Sequence, residues 1–373
     1  MKLHILSEHI QKKLSLINKA ISSRTQLPVL QNMLLQAKEG KLHISSTDLE
    51  IGINIKIAAN IEEEGEITVP AKPFSELIGA IAQEKISFET KEKSLIVTTK
   101  KTKSTFQTIS ADEFPKLYEE KGEQIAEIKQ EMLQKTLSYI LFAASIDTTR
   151  PALSGVYIRK DETSSQKRFF IVTTDGYRLS LKVNDIPFRF EKPLLISARV
   201  LKEVMGIRGE GEQKIKIHII EKSNQILFDV GDMVIVGRLL EAQFPSYEKI
   251  IPQEATTKAV FDRQDLEKAV KICSIFARDS ANIVRFEVGK GSIKVFANAP
   301  QTGENTVEVD AEVSGEEGEI AFNVRYLLDL LANVQEEEMV LEMTTSTSPG
   351  VFKVKDDPTF LHLIMPIRVQ TDV

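Results

Sequence analysis

Residues 10–21 read IQKKLSLINKAI, with apolar Ile10, Leu14, Ile17 and Ile21 at offsets 0, 4, 7 and 11. That spacing draws one stripe along a helix of about 3.6 residues per turn. The same offsets return at Leu133, Leu137, Ile140 and Ala144, and again at Leu266, Val270, Cys273 and Ala277. The copies are evenly placed, one at the start of each third of the chain. A second helical pattern follows each of them. Phe74, Leu77, Ile78 and Ile81 stand at offsets 0, 3, 4 and 7; Leu201, Val204 and Met205 repeat this with Arg208 in the fourth place. Leu327, Leu330, Leu331 and Val334 repeat it in full. Two helix patterns recurring in order at near-constant spacing identify an internal threefold repeat.

Outside the helices the chain alternates in period 2, as in Ile51-Gly52-Ile53-Asn54-Ile55, Leu179-Ser180-Leu181-Lys182-Val183 and Ile215-Lys216-Ile217-His218-Ile219. This is the pattern of strands with one buried face. Thr47-Asp48 and Thr174-Asp175 precede such strands at the same point of the first and second copies, and Phe114-Pro115 and Phe244-Pro245 close those copies alike. The third copy ends at Ile364-Met365-Pro366. The expected architecture is α+β: three repeated domains over residues 1–122, 123–253 and 254–373, each with two helices packed on antiparallel sheets.

With 373 residues, 42% hydrophobic and 27% charged, the composition is that of a globular chain. Its single cysteine, Cys273, rules out an intrachain disulfide and lies in an apolar stripe as a core thiol. No apolar run approaches the ~20 residues of a membrane helix, and the N-terminus lacks a signal-peptide cleavage site. A soluble cytoplasmic protein without membrane contact is expected. The net charge of −6 at first argues against a nucleic-acid partner.

The distribution of that charge changes the reading. Two positions after the first stripe residue, on the far side of the first helix, stand Lys12, Lys135 and Lys268. Two positions before the second stripe stand Lys72, Arg199 and Arg325. Any one lysine on a solvated helix face is ordinary; six basic residues at six repeat-equivalent places are not. The six helical segments together carry +5, which leaves −11 for the remainder. One class of surface therefore suits a polyanion, and the rest repels it. There is no helix-turn-helix, zinc finger, RNP motif or aromatic–basic interleave, so contact with a nucleic acid should be to phosphates, independent of sequence.

Chemistry-bearing patterns are missing. The histidines at 4, 9, 43, 218 and 362 show no metal-ligand spacing, so no metal is expected. There is no GxSxG elbow and no Walker loop, and the glycines of Gly206-Ile207-Arg208-Gly209-Glu210-Gly211 read as a helix stop and turn. The expectation is a protein without catalytic residues and without a cofactor.

The chain resembles, over essentially its full length, the bacterial DNA polymerase III beta subunits, the sliding clamps. The pieces that carry the resemblance are Arg24 with Leu27-Pro28-Val29-Leu30, Thr47-Asp48-Leu49-Glu50, Thr174-Asp175-Gly176-Tyr177-Arg178-Leu179, Phe244-Pro245-Ser246-Tyr247, Phe322-Asn323-Val324 and Met365-Pro366-Ile367-Arg368. The resemblance implies a head-to-tail homodimeric ring of clamp domains, with helices lining a pore and the basic helix positions facing duplex DNA. Arg24 and Arg150 match family positions near the DNA path. It also implies a pocket between domains 2 and 3 for short linear peptides. Carried over by position, that pocket takes Leu153, Thr174, Gly176, Tyr177, Arg178, Leu179, Pro245, Lys249 and Ile250, with Asn323, Tyr326, Met365, Pro366, Ile367 and Arg368. The partners implied are the DNA polymerase III alpha subunit, the subunits of an ATP-driven clamp loader, and other polymerases and repair proteins.

Three departures from the family pattern bear on that pocket. Tyr177 stands where histidine is frequent, and Lys249 where many members carry arginine. Gln370-Thr371-Asp372-Val373 extends past the point where members often end. Without the resemblance, the residues leave open a three-domain scaffold that binds DNA by charge without closing a ring, and a hydrolase with no recognised motif.

Overall fold

The computed structural model describes residues 1–22, 25–162, 168–207 and 213–368. The turn expected over Arg208–Gly211 and the tail Gln370–Val373 lie outside the described residues. The chain divides into two compact units: Met1–Gln130 with Val200–Leu239, and Glu131–Arg199 with Leu240–Val373. The second repeat thus gives one sheet to each unit.

The first unit holds two sheets. One runs Asn60–Glu63, Lys2–Leu6, Lys85–Lys91, Ser94–Thr98, Lys103–Gln107. The other has eight strands and joins two repeats. Gly65–Pro70, Asn32–Lys38, Lys41–Thr47 and Ile51–Ala58 come from the first repeat, then Met233–Arg238, Gln225–Val230, Lys214–Ile220 and Glu123–Lys129 from the second. The seam is antiparallel, with Ile51 opposite Gly237 and Ile55 opposite Met233.

The second unit builds the same seam. Leu194–Ser197, Gly155–Lys160, Phe169–Thr174 and Arg178–Asn184 meet Asp357–Ile364, Gly350–Val354, Glu338–Met343 and Thr257–Asp262, with Arg178 opposite Ile364. The sheet continues through Gly303–Gly315, a 13-residue strand long enough to pair with Thr257–Asp262 at its C-terminal end and with Ser292–Ala299 along its N-terminal part. Ile283–Gly289 and Gly318–Asn323 complete it.

Among the described residues, six α-helices sit where the stripes place them: α1 Ser7–Ile17, α2 Ala71–Ala80, α3 Gln130–Ser138, α4 Ala198–Met205, α5 Arg263–Ala277 and α6 Val324–Asn333. Most stripe residues are buried, with Ile21, Leu77 and Met205 half-buried; Ile10, Ile17, Leu266, Val270, Leu327 and Leu330 are wholly inaccessible. Burying each such side chain stabilises the fold by roughly 1.5–3 kcal/mol. Cys273 is buried among them, donates to Val295 O at 3.3 Å, and burial pushes its thiol up to about 11. That environment suits an inert core thiol.

In the second pattern Ile81 and Val334 fall one residue past α2 and α6. Two of the first-pattern stripes clearly outrun their helices: Ile21 lies beyond α1, and Ile140 and Ala144 lie beyond α3, with a short 3-10 turn before Ile21 and before Ala144. A hydroxyl from the neighbouring strand meets each helix exit. Ser46 Oγ donates to Ile17 O at 2.6 Å, and Thr173 Oγ1 donates to Ile140 O at 2.6 Å. The two hydroxyls hold equivalent places in the first and second repeats. They satisfy carbonyls that a longer helix would have used internally. In the third repeat α5 runs on to Ala277 with all four stripe residues helical.

Three histidines are kept neutral by burial. Burial, then the nearby Lys38 and Lys56, lowers His43 to about 4. His362, fully buried with Nδ1 2.6 Å from Ser180 Oγ, is held well below its usual value by burial and by Arg178. His218 is lowered by burial as well. The unfolded chain takes up protons near pH 6.5 that the folded chain refuses. Stability is therefore complete above pH 6.5 and falls with pH down to about 4. A histidine that stays neutral throughout costs about 2 kcal/mol by pH 5. Urea unfolding at pH 7.5 and pH 5.0 should show that drop, and His362→Gln should reduce the difference. A midpoint unchanged between the two pH values contradicts this account.

Candidate functional site

The site expected from the sequence lies within the second unit and is built on one tight turn. Asp175 Oδ1 accepts from Tyr177 N at 2.9 Å and Arg178 N at 3.0 Å. Thr174 Oγ1 donates to Arg178 O at 2.7 Å and accepts from Gly176 N at 3.0 Å. An aspartate that gathers backbone N–H groups two and three residues on is a turn-former. Gly176 has φ +94°, the left-handed region that glycine enters without steric cost. The turn leaves Tyr177 61% exposed at the surface.

Arg178 is the hub. Its side chain is only 9% exposed, and its guanidinium donates to Asp175 Oδ2 at 3.0 Å and to Asp329 Oδ2 on α6 at 2.6 Å. It also stacks over the Tyr326 ring, 4.6 Å from the centroid. A planar guanidinium suits this combination of two carboxylates and a π face. Asn323 caps α6 by accepting from Arg325 N at 3.0 Å, which sets the helix that carries Tyr326 and Asp329.

The segment after the last strand is tied on both sides. Met365 N donates to Tyr177 O, and Ile367 N donates to Ala321 O, each at 2.8 Å. Met365 and Arg368 are exposed, with Pro366 and Ile367 half-buried. Below lies an apolar cluster of Val172, Leu179, Leu181, Tyr247 and Leu363. Tyr247 accepts from Arg159 Nε at 3.0 Å, which fixes the loop that presents exposed Pro245, Lys249 and Ile250.

Not every expected residue is a contact surface. Thr174, Leu179 and Arg178 are buried and form the floor and frame. Gly176, Tyr177, Pro245, Lys249, Ile250 and Met365 are exposed, and Leu153 is half-buried with Cδ1 3.9 Å from the place a Cβ on Gly176 would occupy. Two frame residues escaped the sequence reading, Asp175 and Asp329. The repetition of Thr-Asp at 47–48 and 174–175 is a usable signal for the first. Asp329 stands three residues after Tyr326, on the same helix face, but nothing in sequence links it to Arg178.

The six repeat-equivalent basic residues, Lys12, Lys72, Lys135, Arg199, Lys268 and Arg325, are all exposed, as is Arg150. Several have acidic neighbours: Lys135 lies 3.4 Å from Glu336, Lys268 2.9 Å from Asp265, and Arg150 3.5 Å from Asp147. Their attraction for a polyanion is correspondingly reduced. Arg24 lies outside the described residues. Among the described residues no helix is long and apolar enough to cross a membrane.

Three family descriptions match the chain in sequence: the N-terminal domain of the DNA polymerase III beta subunit over residues 1–118, its central domain over 127–246, and its C-terminal domain over 248–368. The chain belongs to the DNA polymerase III beta-subunit family. Curated relatives agree. The beta sliding clamp of Synechococcus elongatus is 28% identical with both chains covered entirely, and that of Staphylococcus aureus is 28% identical over 94% of each. Among solved structures, the sliding clamp of Bacillus subtilis is 27% identical with a TM-score of 0.92, covering 99% of this chain and 100% of that one. A Pseudomonas aeruginosa DNA polymerase III beta subunit, 27% identical, superposes with a TM-score of 0.90 over the same shares. The beta-subunit fold of three clamp domains is therefore that of this chain.

Proposed function

We propose that this beta subunit acts as a sliding clamp. Two chains close head to tail into a ring around duplex DNA and hold the replicative polymerase there, without an active site of their own. The observation that carries the reading is a pair of open strand edges. Two sheets of the chain are sealed by equivalent seams, Ile51–Ala58 against Met233–Arg238 and Arg178–Asn184 against Asp357–Ile364. By repeat position the corresponding third pair is Lys103–Gln107 and the N-terminal part of Gly303–Gly315. Among the described residues of one chain, neither edge has a strand beside it.

The edges complement each other. Exposed Lys100, Lys101 and Lys103 mark one; exposed Glu304, Glu308, Asp310 and Glu312 mark the other. Beside the acidic edge, α5 exposes Ile272 and Ile275, an apolar patch for half-buried Phe106 to meet. A heterologous contact that closes after two copies gives a ring and removes both edges.

In that ring the six helical basic residues, with Arg150 and Arg24, are proposed to face the DNA through phosphates alone. Charge that weak per site lets the ring slide, while topology retains it. The trough around Tyr177 and Met365 is proposed to take short linear peptides from the polymerase alpha subunit, the clamp loader and repair proteins, with an apolar floor and a few polar groups to fix the backbone.

Removing residues 365–373 tests this reading. The truncated protein should keep a mass near twice 41.9 kDa in light scattering, yet no longer lengthen the products of its replicative polymerase on primed circular DNA. Unchanged product length would place the polymerase contact elsewhere.

A further inference from the structure

The first repeat carries a second copy of the peptide-site turn. Asp48 Oδ1 accepts from Glu50 N at 3.1 Å and Ile51 N at 3.0 Å. Thr47 Oγ1 donates to Ile51 O at 2.9 Å and accepts from Leu49 N at 3.0 Å. Each bond matches one at Thr174–Arg178, the equivalent place in the second repeat. The seam matches too: Arg238 N donates to Glu50 O at 3.1 Å, as Met365 N donates to Tyr177 O. Pro115 and Leu117 pass this turn as Pro245 and Tyr247 pass the other.

The two turns differ where a ligand would be felt. Gly176 is replaced by Leu49, which has φ +77°. Leucine is disfavoured in that left-handed region, and a backbone held there points to a role beyond folding. Leu49 gains no burial in return, since it is 48% exposed. Beside it opens a cavity of about 290 Å³, whose apolar lining comes from Leu49, Ile51, Pro115, Leu117 and Val236, with Thr47 and Gln225 among its polar residues. Leu117 closes its floor; its Cδ2 lies 2.8 Å from where a Cβ on Gly52 would stand, so the close approach needs glycine there.

The rim is positively biased. Lys116 and Arg238 are exposed, and neither side chain is ion-paired among the described residues; Glu50 is the one acidic residue of the lining. An apolar cavity under two available cations fits an anionic peptide with one large apolar anchor, and the turn provides the frame that the proposed trough also uses. We propose that this cavity is a second linear-peptide pocket, one per chain, taking a leucine or phenylalanine side chain next to a carboxylate that Arg238 and Lys116 recognise. It goes beyond the trough around Met365, on which its existence does not depend.

The probe is a fluorescein-labelled peptide, Gly-Asp-Leu-Phe-Gly, titrated onto the full-length dimer. Two peptides per chain are expected at saturation. Removing residues 365–373 should abolish one class. Arg238→Glu should weaken the other at least tenfold, and so should Leu49→Gly. Leu49→Gly should at the same time raise the unfolding midpoint, because glycine relieves the left-handed leucine. Greater stability with weaker binding separates a contact residue from a structural one. Saturation at one peptide per chain with that class lost on truncation, or a second class indifferent to Arg238→Glu and Leu49→Gly, overturns the proposal. If truncation leaves binding intact while Arg238→Glu removes it, this pocket stands and the Met365 trough is refuted.

Discussion

Changing Lys100, Lys101 and Lys103 together to glutamate should convert the proposed dimer to monomers at micromolar concentration. The dissociation constant is expected to rise on the order of 100-fold or more, because like charges forced together across an interface cost several kcal/mol. All three lysines are exposed, and none is ion-paired among the described residues, so the separated chain should still be folded and unfold cooperatively, losing only the stabilisation that association gives. Their proposed counterparts, Glu304, Glu308 and Asp310, lie on the outer part of the strand Gly303–Gly315. Reversing those to lysine in the same chain should restore the dimer, since the swap recreates opposite charges. Analytical ultracentrifugation of the three proteins decides the matter. A triple-glutamate variant that stays dimeric would mean that the ring closes through other edges.

Arg178→Met should produce the largest loss of stability of any single change at the peptide site. It leaves Oδ2 of Asp175, whose side chain is 14% exposed, without its cationic donor, while Oδ1 keeps the N–H groups of residues 177 and 178. Losing the hydrogen bond to this charged group costs about 1.5–3 kcal/mol. Asp329 is 48% exposed and adds little to that figure, since solvent screens it. The same change removes the cation beneath Tyr326 and loosens the turn that presents Tyr177, so peptide affinity should fall at least tenfold. Asp329→Asn is the control: a small stability change with Tyr326 still stacked. Urea unfolding with peptide anisotropy reads both quantities. An Arg178→Met protein as stable as its parent would show that the ion pairs are not structural.

Much of the fold was legible because its elements bury one face each. The stripe from Ile10 to Ile17 and its two copies were legible as helices, since a 3.6-residue period brings those positions onto one face, although in the second copy the helix ends at Ser138, before Ile140. Strand partners were not legible. Period-2 alternation marks Ile51–Ala58 and Met233–Arg238 as strands but does not encode that they pair across more than a whole repeat of chain. That the helices stop short of Ile21 and Ala144 was not legible either, since the hydroxyls that meet Ile17 O and Ile140 O, those of Ser46 and Thr173, come from another element.

The site divides in the same way. Exposure of the six basic residues followed from their place opposite the apolar stripe. Their neutralising neighbours did not all follow: Glu336 reaches Lys135 from the third repeat, whereas Asp265 stands on the same helix as Lys268 and was open to view in the sequence. The proposed peptide trough was legible only through family resemblance, because Arg178 and Asp329 are 151 residues apart. The left-handed Leu49 gave no signal, since leucine in sequence says nothing about φ.

Retention of this protein on DNA is proposed to be topological. The direct measurement loads the protein with its clamp loader onto a nicked circular plasmid, washes in 1 M salt, and then cuts the plasmid once. A closed ring survives the wash and slides off the new ends, so bound protein should fall to background after cutting and stay bound if the ends are blocked. Binding through phosphate charge would collapse in the wash, because affinity falls steeply with salt. Loss in the wash, or retention on the linear plasmid with free ends, would contradict the ring.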